Sequence, residues 1–312
     1  MTPERKYSFK GYVHIFGITA DKGICFYTVA DCLVWFTLFC VLARKYHIQV
    51  LAVCIMLNHF HIEARFPSKQ AMSAMMRELN SRFAQQYNRY YRLSGPLFQE
   101  RYGSALKIKD QRIKDNFVYI CNNPVGKKAV RNAWQYRWNF LAYMDSDHPF
   151  SDALVIRRCS RNLLSARAEV LRCSRSGLPL GYLFFGGIYE GLTDVEKNQI
   201  VDWIVFTYNV IDYEVLRKVW GGYEQVCEML SAVSGSEYDL ADDDAIEDYR
   251  HYYQMIRIVL DSGFDIRRRR FTGLSYKEVR CLARRICDRI GVSRTELVKF
   301  LHNPLSELFD IQ

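Results

Sequence analysis

Tyr12 to Thr19 (Tyr-Val-His-Ile-Phe-Gly-Ile-Thr) is dense in β-branched and aromatic residues and follows the turn-prone Lys10-Gly11, which predicts a first strand. After a turn at Asp21-Lys22-Gly23, the apolar segment 29–46 is helical by length. Ile48 to Met56 is a near-continuous apolar run, suited to a strand covered on both faces. His59 to Phe66 alternates polar and apolar residues, and Leu57-Asn58 would close the two into a hairpin. Ser68 is placed to cap a helix running to about Tyr91, broken by Ser94-Gly95-Pro96. A short strand around 104–109 then precedes a helix from Asp110 to about Asn122, where Pro124 is expected to stop it.

The order strand, helix, strand, strand, helix, strand, helix predicts an α+β fold, an antiparallel sheet with packed helices, ending near residue 145. Residues 146–312 read as a mainly α-helical C-terminal region, with an Arg-rich start at 150–176 and a solvated acidic loop at Asp242-Asp243-Asp244. The chain of 312 residues leaves room for about two such units. Charge separates them. Residues 1–145 hold 21 basic and 9 acidic side chains, a net of +12, whereas 146–312 carry a net of −3. The basic part is the candidate polyanion binder.

Val29 to Ala43 is the stretch nearest to a membrane segment, but it carries Asp31 and falls short of the roughly 20 apolar residues a span requires, so it predicts a buried core helix. The first ten residues are polar, unlike a secretory signal. Ten cysteines without a C-x-x-C pair, several inside apolar runs, point to a reduced, cytoplasmic setting.

His59-Phe60-His61 is the sharpest local signal. On a strand, residues i and i+2 project from one face, so two imidazoles can reach one metal ion. Phe60, Ile62, Ala64 and Phe66 make the buried face, which leaves His59, His61, Glu63 and Arg65 on an opposite, polar one. A purely structural pair of surface histidines is the competing reading. Glu63 could add a ligand or, the favoured expectation, pair with Arg65 or another surface cation.

Val50 to His61, ending in Met56-Leu57-Asn58-His59-Phe60-His61, resembles the strand-turn-strand signature of the REP-associated tyrosine transposases, single-tyrosine members of the HUH nuclease superfamily. Gly95-Pro96-Leu97-Phe98-Gln99-Glu100-Arg101-Tyr102 is similar to their Gly-x-x-aromatic-Gln-x-Arg-aromatic segment, and Tyr119-Ile120-Cys121-Asn122-Asn123-Pro124-Val125 to their Tyr-Ile-x-x-Asn-Pro-Val box. The resemblance covers about residues 10–145. It implies a ferredoxin-like/RRM-like HUH domain, Tyr119 as nucleophile, Asn123 as a third metal ligand beside His59 and His61, and Mg²⁺ or Mn²⁺ as cofactor. Partners implied are single-stranded or hairpin DNA, with a homodimer allowed and neither a nucleotide cofactor nor a membrane required. Gly126-Lys127-Lys128 departs from the family by being more basic, and Glu63 stands at a usually apolar place.

Candidate backbone contacts are Arg89, Arg92, Arg101, Lys107, Lys109, Arg112 and Lys114. Tyr87, Tyr90 and Tyr91 are read as helix packing in preference to base-stacking platforms, and His14 as a packed sheet residue. Near the C-terminus, Gly291-Val292-Ser293 lies between two amphipathic segments, as a helix-turn-helix near 275–303 requires, with Arg284, Arg285 and Arg294 as DNA contacts and the run Arg267–Arg270 adding charge. The function expected is cleavage and rejoining of single-stranded DNA through a 5′-phosphotyrosine. The rivals are a non-catalytic DNA-binding regulator using the C-terminal helices, and a metalloenzyme hydrolysing a small substrate with bound water.

Overall fold

The computed structural model describes residues 7–8, 10–233 and 248–302. The acidic stretch Asp242-Asp243-Asp244 and residue 303 of the expected helix-turn-helix lie outside the described residues. Strands β1 (Tyr12–Ile18), β2 (Gln49–Ile55), β3 (His59–Arg65) and β4 (Gly103–Lys107) form one antiparallel sheet in the order β2-β3-β1-β4. With α1 (Val29–Lys45) and α2 (Lys69–Tyr91) in the two crossovers, this is the ferredoxin-like βαββαβ arrangement. Both helices start on caps the sequence offers. Thr28 and Asp31 make a reciprocal capping box for α1, and the Ser68 hydroxyl accepts from the Ala71 amide for α2.

Period-two alternation sorts the strands onto two cores. Val13, Ile15, Phe60, Ile62 and Ala64 face α1 and α2, in a cluster that α4 (Arg161–Arg175) and α6 (Asp194–Tyr208) extend, joined by the short α5 (Tyr182–Phe184). Close packing here depends on Gly17, whose Cβ, if it had one, would sit 2.4 Å from the Phe60 ring. The other face meets α3 (Asp110–Gly126) and, around it, α7 (Tyr213–Trp220), α8 (Tyr223–Ala232), α9 (Tyr249–Asp261), α10 (Tyr276–Cys287) and α11 (Arg294–Leu301). Both clusters therefore draw residues from before and after residue 145.

Helix α3 does not end at Asn122. It runs on to Gly126 with Pro124 inside it. A proline in the last turn removes one amide donor, and the terminal carbonyls are taken up downstream, Asn123 O by the Lys127 amide at 3.0 Å and Pro124 O by the Ala129 amide at 2.9 Å. Among the described residues no helix is long and apolar enough to cross a membrane, and α1 is buried along most of its length. All ten cysteines are free.

Candidate active site

Strand β3 projects His59, His61 and Glu63 toward α3, and the neighbouring strands supply His14 opposite Glu63 and Cys54 opposite His61. This face is not open to solvent as alternation alone suggests. Helix α3 and the helices around it cover it, so that His14, His59, His61 and Glu63 are all buried. Arg65, the partner expected for Glu63, lies instead over the Tyr12 ring, 4.6 Å from its centroid, and the cation whose charge reaches Glu63 is the half-buried Lys107. The Asn116 amide of α3 is the polar side chain that acts on the Glu63 carboxylate. Burial pushes the Glu63 carboxyl well above the usual range, with the Asn116 amide and the Lys107 ammonium pulling the other way.

Helix α3 brings Tyr119 and Asn123, one turn apart, over the imidazoles. The Tyr119 ring stands edge-on to His61 at 5.5 Å and to His14 at 5.9 Å between centroids. Asn123 Nδ2 lies 3.2 Å from His61 Nε2, and His59 and His61 are 4.9 Å apart. Four residues from two separate sequence motifs thus converge. Burial lowers the His61 pKa to about 3, with the nearby Lys127 charge adding to the shift, and holds His14 well below its ordinary value. Both imidazoles are neutral at pH 7, as metal ligation requires.

His59 has a defined tautomer. Its Nδ1 lies 2.8 Å from Asn58 Oδ1, a carbonyl oxygen that only accepts, so Nδ1 carries the proton and the lone pair is on Nε2. Asn58 is itself held, its Nδ2 donating to Lys22 O at 2.9 Å and its Oδ1 facing the Tyr249 hydroxyl at 3.4 Å. Tyr249 also accepts from the Leu57 amide at 3.2 Å, so α9 reaches the turn that carries the two histidines. Sequence reading missed Asn58 and Tyr249. The position of Asn58 directly before the first histidine was a usable signal, but nothing local marks Tyr249.

Asn123 Oδ1 is buried without a hydrogen-bond partner, on the side chain whose Nδ2 faces His61. Two nitrogens and an amide oxygen fit a divalent ion that keeps sites for water and phosphate, so the residues present suit the metal the sequence implies. Among the described residues no group of three or more His, Cys, Asp and Glu side chains could hold a metal, which leaves Asn123 as the side chain that would complete the set.

The basic candidates scatter. Lys107 is half-buried beside the site, and its charge acts on His14 and Glu63. Arg101 is exposed on a groove of about 1450 Å³ between α2 and β4 that reaches Phe16, a neighbour of His61. Lys109, Arg112 and Lys114 lie at the start of α3, the first two exposed and Lys114 half-buried. Arg89 and Arg92 are exposed at the end of α2, on the side of the sheet away from the histidines. Tyr87 and Tyr91 are core, while Tyr90 stacks on Tyr182 at 4.6 Å. Arg284, Arg285 and Arg294 are exposed on α10 and α11, and Ser293 caps α11 in a box with Glu296. The run Arg267–Arg270 is not a free basic patch. Arg267 and Arg268 pair with Asp265, and Arg270 is buried against Asp31, because the chain between α9 and α10 folds back onto α1 and α2.

A four-stranded ferredoxin-like sheet that presents two imidazoles to a helix bearing a phenol and an amide defines a compact α+β domain with a buried polar cluster on one sheet face. Residues 8–123 match the family model described as Transposase IS200 like. A solved structure of a REP-associated tyrosine transposase bound to a REP hairpin is 16% identical, covering 44% of this chain and 81% of that one with a TM-score of 0.38. No curated protein matches the chain.

Proposed function

We propose that the chain cleaves and rejoins single-stranded, hairpin-bearing DNA, with Tyr119 as nucleophile and a divalent ion held by His59, His61 and Asn123. The observation that carries this reading is the edge-on approach of Tyr119 to His61 from the helix face it shares with Asn123. The phenol oxygen forms a bond to phosphorus as the bond to the 3′ oxygen breaks, which leaves a 5′-phosphotyrosine and a 3′-hydroxyl. Religation reverses the exchange, and the phosphodiester energy is kept in the covalent bond. Bound by the two imidazoles and the amide, Mg²⁺ or Mn²⁺ would supply Lewis-acid polarisation of the scissile phosphate. Lys107 and Lys127, whose charges already act on the histidines, favour an anion at this face. The rest of the basic surface, including Arg101 along the α2–β4 groove and Arg284, Arg285 and Arg294 on α10 and α11, would follow the DNA backbone.

The test is Tyr119→Phe. The variant loses one oxygen and little packing, so it should bind labelled single-stranded DNA as the wild type does and form no covalent adduct. In the wild type, peptide mapping should place a 5′-linked adduct on Tyr119. An adduct on another tyrosine, or cleavage with no adduct, would overturn the assignment, the latter in favour of a water nucleophile.

A further inference from the structure

Asn58 fixes the His59 tautomer because its carbonyl can only accept. His61 Nδ1 faces a second imidazole instead: it lies 3.0 Å from His14 Nε2, and either ring could be the donor. The direction of this one bond decides what the other side of His61 can do. If His14 donates, His61 Nδ1 accepts, the proton sits on Nε2, and the atom facing Asn123 is an N–H that cannot ligate. If His61 donates, its lone pair points from Nε2 toward Asn123, into the place where His59, Asn123 and the phenol of Tyr119 also converge.

We propose that His14 is a positioning residue for the metal ligand His61: it accepts the Nδ1–H of His61 on its own Nε2 and thereby holds the neighbouring imidazole in the metal-binding tautomer. The inference rests on the reading of His59, His61 and Asn123 as a metal site. Three features support it. The Asn123 amide nitrogen faces His61 Nε2 at 3.2 Å, the arrangement in which Nε2 accepts. His14 is as buried as His61, with 1% of its surface exposed, so water does not compete for the bond. The strand register holds the pair in place, since His14 is opposite Glu63 and Phe16 opposite His61 on directly paired strands. Histidine ligands generally need such an outer partner, and losing it costs about 10–100-fold in metal affinity.

The experiment is long-range ¹H–¹⁵N correlation of the histidine rings in the metal-free full chain, combined with Mn²⁺ titration. In the wild type, His61 is expected to carry its proton on Nδ1; a proton on Nε2 overturns the proposal without any variant being made. His14→Phe should populate the Nε2–H form of His61 and bind Mn²⁺ about 10–100-fold more weakly, while His14→Gln, whose side-chain carbonyl can accept the same bond, should restore the tautomer and most of the affinity. A folded His14→Phe with unchanged tautomer and Mn²⁺ affinity would also sink the idea. Failure of the underlying site reading looks different: His59→Ala and His61→Ala would then leave Mn²⁺ binding unaltered, while the tautomer measurement on wild-type protein still judges His14.

Discussion

Arg270 Nη2 donates to both carboxylate oxygens of Asp31, at 2.8 and 2.7 Å, between side chains 3% and 0% exposed. The two residues are 239 positions apart. Asp31 also accepts from the hydroxyls of Tyr91 and Tyr182 at 2.9 Å each while it caps α1, and Arg270 donates to the Tyr87 hydroxyl and lies over the Tyr91 ring. Every donor aimed at this carboxylate is placed, which is what makes a fully buried ion pair tolerable. The C-terminal region is thereby tied into the two helices behind the sheet.

Removing one partner leaves an uncompensated buried charge. Arg270→Met or Asp31→Asn is therefore expected to cost about 3–5 kcal/mol in chemical denaturation. The double replacement Asp31→Leu with Arg270→Met should cost clearly less than the sum of the single changes. Single variants within 1 kcal/mol of wild type would mean that the network contributes little.

The strand-borne aromatics give a second stability test. Phe60 lies under Gly17 and contacts Trp35 at 4.7 Å and Phe98 at 5.6 Å between ring centroids. Phe60→Ala should destabilise by about 3–5 kcal/mol. Gly17→Ala should also destabilise, because the new methyl meets the ring face. A Gly17→Ala variant as stable as wild type would show that the ring shifts freely.

Much of this fold could be read along the chain because its determinants are local. The caps at Thr28 and Ser68, the alternation in His59–Arg65 and the continuous apolar run in β2 each act within a few residues. The convergence of His59, His61, Tyr119 and Asn123 followed from a strand period, a helix period and a family resemblance. What failed was long-range. Alternation tells which residues share a face but not what covers it, so a buried Glu63 was expected at the surface. A run of four arginines looks like a charged patch until the fold takes Arg270 into the core and gives Arg267 and Arg268 an aspartate. Tyr249 reaches Asn58 across 191 residues, and no local pattern announces that.

The buried histidines predict how the metal-free protein responds to pH. His14 and His61 have folded pKa values below the unfolded value of about 6.5, His61 at about 3, so the unfolded state binds more protons below pH ~6.5. Stability should then fall with acidification by about 1.4 kcal/mol per pH unit for each histidine. Glu63 acts in the opposite sense: its folded pKa is raised, so above about pH 4.3 it costs stability as pH rises. The opposing effects of Glu63 and the histidines partly cancel above about pH 4.3, so the loss on acidification should steepen below it. His61→Gln, measured in chelator by denaturation at a series of pH values, should flatten the slope by one proton. An unchanged slope would place His61 in solvent contact.

Tyr249→Phe separates the reach of α9 into the site from its packing. The ring stays buried, but the Leu57 amide loses its acceptor and the Asn58 side chain loses one of its three hydrogen-bond contacts. Stability should drop by about 1–3 kcal/mol for the orphaned buried amide. The His59 ring should broaden or shift in ¹H–¹⁵N spectra while the His61 ring does not. Equal changes at both rings would point to a general loosening instead.

The exposed cations of α10 and α11 give the last test. Lys277, Arg280, Arg284 and Arg285 line an open depression of about 500 Å³ on one side of α10, and Arg294 begins α11. The apolar residues Val279, Leu282, Ala283 and Ile286 hold the opposite side of α10 against the core, so charge reversal at the exposed positions should leave folding intact. If this surface follows a DNA backbone, each neutralised phosphate adds about 0.7 to the slope of log affinity against log salt for a single strand, or about 0.9 for a duplex stem. Arg284→Glu, Arg285→Glu and Arg294→Glu together should lower that slope by about two to three units and weaken binding most at low salt. Adduct formation on short oligonucleotides, which the proposed function assigns to β3 and α3, should persist. A slope equal to wild type would remove α10 and α11 from the DNA path and leave them the task seen in their packing, bracing α9 and, through Tyr249, the turn before His59.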